Sequence, residues 1–212
     1  MPANASNPPT KVLVILTVLW LIGLLLSGWI AKDRVTWLLE IFPAVIALVV
    51  MWSSRKRMEL TTLLYVLIAI HGLILMLGGA YTYARVPLGF WMQDWFGFTR
   101  NNYDKIGHFA QGFIPAIVAR EVLIRVFALR SRKLVAFLCV AICLAVSSAY
   151  ELIEWGAALA LGQGADEFLG TQGDPWDTQS DMFLALIGAI SALLLLSRWH
   201  DRQIAARDAT SA

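Results

Sequence analysis

Six apolar stretches, at roughly 12–30, 37–52, 60–80, 103–127, 134–155 and 177–197, account for most of a chain of 212 residues. Most approach the ~20 residues that a helix needs to cross a hydrocarbon core ~30 Å thick. Pro43 interrupts the second stretch, and Glu40 is expected at its interfacial end. With 58% apolar residues, 15% charged residues and a mean hydropathy of +0.66, the chain is too apolar for an ordinary soluble domain of this length. The expected fold is all-α: a polytopic membrane helix bundle of about six transmembrane helices, one membrane domain spanning 12–197. A disordered cytoplasmic N-terminus over 1–11 and a cytoplasmic tail over 198–212 are expected to flank it. The first stretch exceeds a signal-peptide core and lacks a small-x-small cleavage site, so it reads as an uncleaved span.

The formal net charge of +2 is too small, and its basic residues too dispersed, for a nucleic-acid face. Their distribution reports orientation instead. Numbering loops alternately, one side collects Lys11, Arg55, Lys56, Arg57, Arg130, Arg132, Lys133, Arg198, Arg202 and Arg207. The other side has Lys32, Arg34, Arg85 and Arg100, and the segment 156–176 holds no Lys or Arg. The positive-inside rule then puts both termini in the cytoplasm.

Charge within the spans is uneven: the first three carry almost none, the last three nearly all. No internal repeat or inverted symmetry suggests a carrier built of matched halves. Of two long outward segments, 81–102 contains Phe90, Trp91, Trp95, Phe96 and Phe98 among Gly and Pro, the composition of a short helix resting on lipid headgroups. The other, 156–176, combines Gly162, Gly164, Gly170 and Gly173 with Asp166, Glu167 and Asp174 and could cap a site.

Helical spacing organises the ionisable residues. Asp104, His108, Gln111 and Pro115 share a face of the fourth span, Ser147, Glu151 and Glu154 a face of the fifth, and Asp177 and Asp181 open the sixth, with Gly188 on the same side. Topology puts all three stripes in the outer third of the membrane. Charges there are costly and tend to face each other or a wet cavity. Five neighbouring carboxylates need a compensating cation: a divalent metal, held protons, Lys105, or Arg85 or Arg100 folding in. Carboxylates with one imidazole suit Mg²⁺, Mn²⁺, Ca²⁺ or Zn²⁺ without selecting among them. The expected metal ligands are therefore Asp104, His108, Glu151, Asp177 and Asp181, with His108 and Glu154 moving protons, and Lys105 and Gln111 contacting substrate.

Each of these residues also has a plainer reading. Asp177 could be a first-turn acid favoured by the helix dipole, and Glu154 a solvated interfacial group. Arg120, Glu121 and Arg125 read as a cytoplasmic anchor, with Glu121 and Arg125 paired at i, i+4 and the arginine stems snorkelling. His71 reads as a histidine hydrogen-bonded between helices, or else as a relay or ligand. Cys139 and Cys143 read as small buried fillers.

Three segments carry a resemblance: Tyr103-Asp104-Lys105-Ile106-Gly107-His108-Phe109, Tyr150-Glu151-Leu152-Ile153-Glu154-Trp155, and Gly173-Asp174-Pro175-Trp176-Asp177-Thr178-Gln179-Ser180-Asp181-Met182. Together they resemble the YjdF-like family of small bacterial inner-membrane proteins, which implies a multi-span protein of the bacterial cytoplasmic membrane and no established activity. More distantly, Asp104, Lys105, His108 and Phe109, then Glu151, then Asp181, are similar to the Asp-Lys-x-x-His-Phe, Glu and Asp of VanZ-like proteins, associated with low-level glycopeptide resistance. Where those have Glu-x-x-Gln, this chain has Glu151-x-x-Glu154, so the likeness is one of site location.

The function expected first is metal-assisted chemistry at the outer leaflet on a lipid-linked or cell-envelope substrate, in a protein whose surroundings are the lipid bilayer. A proton- or cation-coupled transporter or ion-binding protein is the second expectation. A non-catalytic envelope-maintenance or assembly factor, whose polar cluster locks helix packing, is the third. Substrate, metal identity and oligomeric state are left open by the sequence.

Overall fold

Backbone groups in hydrocarbon have no water to bond, so apolar stretches close their hydrogen bonds internally as helices. The computed structural model describes residues 8–161 and 171–211. Among them are seven helices and no strand: α1 (Pro8–Ile30), α2 (Arg34–Ser54), α3 (Thr62–Tyr81), α4 (Pro87–Phe96), α5 (Tyr103–Arg125), α6 (Arg132–Leu161) and α7 (Asp177–Ser211). Helices α1, α2, α3, α6 and α7 are long and apolar enough to cross a membrane. Helix α5, at the fourth expected span, matches them with 23 residues but carries charges at both ends. It tolerates them because it lies inside, packed against α3, α6 and α7. The lipid-facing work falls to its neighbours, where Leu25, Trp29, Phe137, Leu152 and Leu194 are exposed.

Helix α3 joins the α1–α2 pair to the α5–α6–α7 group. Indole N–H groups lock that pair: Trp37 Nε1 donates to Ser27 Oγ at 3.1 Å and Trp52 Nε1 to Thr17 Oγ1 at 2.9 Å. Helices α5 and α7 approach one another backbone to backbone. A Cβ on Gly112 would stand 1.8 Å from the Ala185 carbonyl oxygen, and one on Gly188 2.2 Å from that of Phe109. Ala185, Ala189 and Ala192 are completely buried along the same seam. Small residues let membrane helices touch backbone to backbone, where dispersion and weak polar contacts replace the missing hydrophobic drive. This contact fixes the site's level, since His108 is one turn before Gly112 and Asp181 one turn before Ala185.

Both described chain ends lie at one end of the bundle. Thr10 donates to Glu59 at 2.9 Å, Arg207 pairs with Glu59 at 2.8 Å, and Arg125 donates to the Glu59 carbonyl at 2.8 Å. The loops rich in Lys and Arg thus gather together, as their alternation along the chain predicts. We call this the basic end and the opposite one the acidic end.

Several expectations need correction. Residues 8–11 belong to α1 rather than to a disordered terminus, while 1–7 lie outside the described residues. Pro43 does not break the second stretch, which is one helix from Arg34 to Ser54. Glu40 lies level with the acidic end of α3, beside Gly79, and is buried at 4% exposure rather than solvated. The expected tail is the continuation of α7, whose 35 residues at ~1.5 Å each run about 52 Å, well beyond a ~30 Å core. Its His200 and Ile204 are buried, and Gln203 accepts from the Leu63 N–H at 2.9 Å.

His200 also overturns the reading of Arg120, Glu121 and Arg125 as a snorkelling anchor. The Glu121–Arg125 pair forms as expected, at 2.6 Å, but Arg120 and Glu121 are buried. Arg120 Nη1 donates to His200 Nδ1 and His200 Nε2 donates to Glu121 Oε2, both at 2.9 Å, while Thr61 Oγ1 donates to the same oxygen at 2.8 Å. Arg120 also donates to Asp201. A guanidinium can only donate, so His200 accepts at Nδ1 and carries its proton on Nε2. His71, expected to be bonded between helices, is half-buried and makes no hydrogen bond to another described residue.

Two predictions follow from this packing. Gly112→Ala should cost about 1–3 kcal/mol by overpacking, seen as a lower thermal midpoint in detergent, whereas Gly156→Ala, in helix α6 with nothing within 4 Å of the added carbon, should leave stability unchanged or raise it by up to about 1 kcal/mol. His200→Leu, which a disordered tail would tolerate, should cost about 1–3 kcal/mol by leaving buried Arg120 and Glu121 groups short of a partner.

Candidate functional site

At the acidic end, side-chain amides clip the segments that lead into α5 and α7. Gln172 Nε2 donates to the Asn101 carbonyl at 2.7 Å and Gln172 Oε1 accepts from the Asn101 N–H at 3.2 Å. Asn101, 1% exposed, donates to the Val86 carbonyl at 3.0 Å and accepts from the Tyr103 N–H at 3.1 Å, so it also starts α5. Its close neighbour must be Gly89, where a Cβ would fall 1.7 Å from the Asn101 Oδ1. Asp174 Oδ1 accepts from the Trp176 N–H at 2.9 Å and turns the chain into α7. Gln172 and Asn101 were not singled out in the sequence, because a clamp across 71 positions leaves no local signature.

The countercharge demanded by the carboxylates comes from Lys105 and Arg100. Lys105 Nζ lies 2.7 Å from Asp181 Oδ1, 2.8 Å from Asp177 Oδ1 and 3.5 Å from Asp104 Oδ2. Arg100 Nη2 lies 2.6 Å from Asp177, 3.3 Å from Asp174 and 3.7 Å from Asp104. Burial works against the Arg100 charge, but the bond to Asp177 and the charges of Asp104 and Asp174 outweigh it and hold its pKa up. Asp104, Asp177 and Asp181 can bring one oxygen each within 4.8 Å of one another, and the lysine ammonium is the cation at that position. Lys105, expected to touch substrate, is thus an internal partner as well.

One turn deeper, His108, Glu151 and Asp181 form a second group whose donor atoms lie within 4.8 Å of one another. His108 Nε2 is 3.6 Å from Asp181 Oδ2 and Nδ1 is 3.9 Å from Glu151 Oε1. Gln111, also expected to touch substrate, instead meets His108 Nδ1 with its Oε1 at 3.0 Å. With that oxygen as acceptor, Nδ1 carries the proton and the Nε2 lone pair faces the Asp181 carboxylate. Nearby, both oxygens of Asp104, Glu151 Oε1 and Ser147 Oγ are buried without a hydrogen bond among the described residues. Thr178 faces Glu151 from α7.

Glu154, expected beside His108, belongs to a neighbouring group with Glu40, Tyr83 and Tyr150. Tyr150 donates to Glu40 Oε2 at 3.1 Å and stands edge-on to the His108 ring, 6.4 Å between centroids. Tyr83, in the turn after α3, has its phenol pushed well above the ordinary range by burial and by the adjoining acids, Glu40 among them, so it stays protonated. The structure therefore unites Asp104, Lys105, His108, Gln111, Glu151, Asp177 and Asp181 and sets Glu154 one step away. Of the glycine-rich segment, Gly162, Gly164, Asp166, Glu167 and Gly170 lie outside the described residues. Cys139 and Cys143 are free and buried, as expected of fillers.

A pocket of about 650 Å³ opens beside this cluster between α5, α7 and the segment before α5. Its polar end holds Arg100, Lys105, Asp174 and Ser180, and Phe98, Ile106, Phe109, Phe183 and Leu184 form its apolar walls. The short helix α4 beside it exposes Phe90, Trp91, Trp95 and Phe96, the surface expected of an element resting at the membrane interface.

Residues 12–202 match the predicted membrane protein family DUF2238. The chain belongs to this family. It is also 56% identical over 181 residues to the inner membrane protein YjdF of Escherichia coli (strain K12), an alignment covering 85% of this chain and 87% of that protein. The sequence resemblance to YjdF-like proteins is thereby established, and with it a multi-pass protein of the bacterial inner membrane. No solved structure matches the chain. The likeness to VanZ-like proteins rests on its few residues alone.

The ion-pair geometry makes a prediction. Lys105→Met should cost about 3–5 kcal/mol, because it strands buried Asp177 and Asp181 without their closest shared cation. The double variant Lys105→Met with Asp181→Asn should recover part of that loss, and a double-variant loss equal to the sum of the two single-variant losses would show the pair to be uncoupled.

Proposed function

We propose that the acidic end is an outward-facing, cation-assisted site acting on a lipid-linked or cell-envelope substrate, with a divalent metal held by His108, Glu151 and Asp181. The observation that carries this reading is the gathering of one donor atom each from His108, Glu151 and Asp181 within 4.8 Å of one another, with His108 Nε2 3.6 Å from Asp181 Oδ2 and Glu151 Oε1 buried and without a hydrogen bond among the described residues. A positive ion between such acceptors removes their repulsion, and the Gln111 bond to Nδ1 is the kind of outer support that fixes the tautomer of a metal-binding imidazole. The positive-inside rule, applied to a protein of the inner membrane, supports a periplasmic position for this end. A bound ion there supplies Lewis acidity toward a phosphoryl or carbonyl oxygen, or an activated water. Asp104, with two unbonded oxygens, is placed to take or give a proton, and Lys105 and Arg100 neutralise Asp177.

Hard oxygen ligands with one imidazole leave Mg²⁺, Mn²⁺, Ca²⁺ and Zn²⁺ all admissible. The carrier reading is less well supported, because α5 offers no polar side chain from Gly112 to Ala119 to continue a path inward. A purely structural role would fit the Lys105 ion pairs, but not the unbonded oxygens around Glu151. Metal analysis and calorimetry on purified protein should find one divalent ion per chain. His108→Ala should abolish it, and Gln111→Leu should weaken it by about 10–100-fold. A folded protein that binds none of the four ions stoichiometrically would overturn the proposal.

A further inference from the structure

The pocket beside the cluster allows the substrate class to be named. We infer that it receives a membrane phospholipid with a zwitterionic headgroup bearing a phosphate and a primary amine, of the phosphoethanolamine kind, entering sideways from the bilayer between α5 and α7. The inference deepens the reading of a lipid-linked substrate and rests on it only for the purpose of binding, since the pocket exists whether or not a metal sits behind it.

Three observations carry it. The volume, about 650 Å³, lies within the usual range for a small-molecule site. Its walls are apolar on the lipid side, and Phe183 continues down α7 into Ile187, Ile190 and Leu194, all exposed at i, i+4, i+7 and i+11. An acyl chain can follow that stripe without leaving the hydrocarbon. The polar end carries both signs of charge: Arg100 and Lys105 line it together with Asp174, whose side chain is 31% exposed.

The charge balance selects the headgroup. Behind and beside the two cations stand Asp104, Asp174, Asp177, Asp181 and Glu151, a formal excess of three negative charges that a divalent ion at Asp181 and Glu151 would cut to one. An anionic headgroup would add to that excess. A zwitterion adds no net charge, setting its phosphate against Arg100 and Lys105 and its ammonium against Asp174. A primary amine offers three N–H donors to the carboxylate, which a quaternary ammonium lacks.

The test is lipid retention by the full chain in detergent, read by native mass spectrometry against equimolar phosphatidylethanolamine, phosphatidylglycerol and phosphatidylcholine. Phosphatidylethanolamine should be retained at least fivefold over each of the others. Asp174→Asn should remove the preference over phosphatidylglycerol, and Phe183→Trp, which fills the groove and leaves every ion pair intact, should lower retention of all three by tenfold or more. Equal retention of the three lipids by the unaltered protein, or undiminished retention by Phe183→Trp, would overturn the inference. Because the readout is lipid and not metal, a protein that binds phosphatidylethanolamine but no divalent ion would leave this pocket standing and remove the metal site.

Discussion

Two glycines allow α5 and α7 to meet backbone to backbone, and the polar chemistry of the molecule depends on that contact. Gly112 against Ala185 and Gly188 against Phe109 leave no room for a side-chain carbon, so the two helices are held in a single register. Above and below this apolar seam the same helices exchange charge: Lys105 with Asp177 and Asp181 at the acidic end, Arg120 with His200 and Asp201 at the basic end. In a low dielectric, charges at such separations attract strongly but also lose hydration, and only good geometry makes the balance favourable. The small-residue seam supplies that geometry. It is also why α5 can carry charge at both ends and still lie in the middle of a membrane bundle.

The two ends differ in how fully their polar atoms are satisfied. At the basic end both oxygens of Glu121 accept hydrogen bonds and both nitrogens of His200 are engaged, which is what a structural lock requires. At the acidic end Asp104, Glu151 and Ser147 keep buried atoms that make no hydrogen bond among the described residues, the Asp104 carboxylate being held only by the longer ion pairs to Lys105 and Arg100. An unbonded buried polar atom costs free energy, and two such contrasting ends on the same pair of helices place the unsatisfied chemistry at one of them. The lock holds α7 from below, so the acids at its other end are carried on a helix that has little freedom to withdraw.

Much of this was legible in the sequence. Helical period and loop alternation alone brought Asp104, His108, Glu151 and Asp181 to one level, because both follow from backbone geometry. The countercharge was legible as a demand, and Lys105 and Arg100 were among its candidates. What helical period cannot supply is the rotation of one helix against another. Helix α2 is apolar around its whole circumference, so nothing in its pattern showed that Glu40 turns inward to meet Tyr150. His200 was hidden for a related reason: it sits past the apolar stretch, among charges typical of a tail, and its partners are some 80 positions away. The position of Arg120 and Glu121 was the available signal, since charges more than a turn inside a helix end need partners from a neighbour.

The distribution of polarity along α5 separates a surface-opening site from a conduit. Its first two turns carry Asp104, Lys105, His108 and Gln111, its last two Arg120, Glu121 and Arg125, and the stretch between is Gly112, Phe113, Ile114, Pro115, Ala116, Ile117, Val118 and Ala119. Ala116 and Ile117 are completely buried there, packed by α3 and α7 rather than lining a wet channel. An ion or proton moving between the two polar groups would cross about two turns of helix, ~12 Å, with no polar side chain of α5 itself to coordinate it. The acidic group instead adjoins a pocket whose walls merge with the lipid-facing surface of α7. Chemistry confined to one end, reached from the side by a molecule already dissolved in the bilayer, is the arrangement that this division of α5 permits.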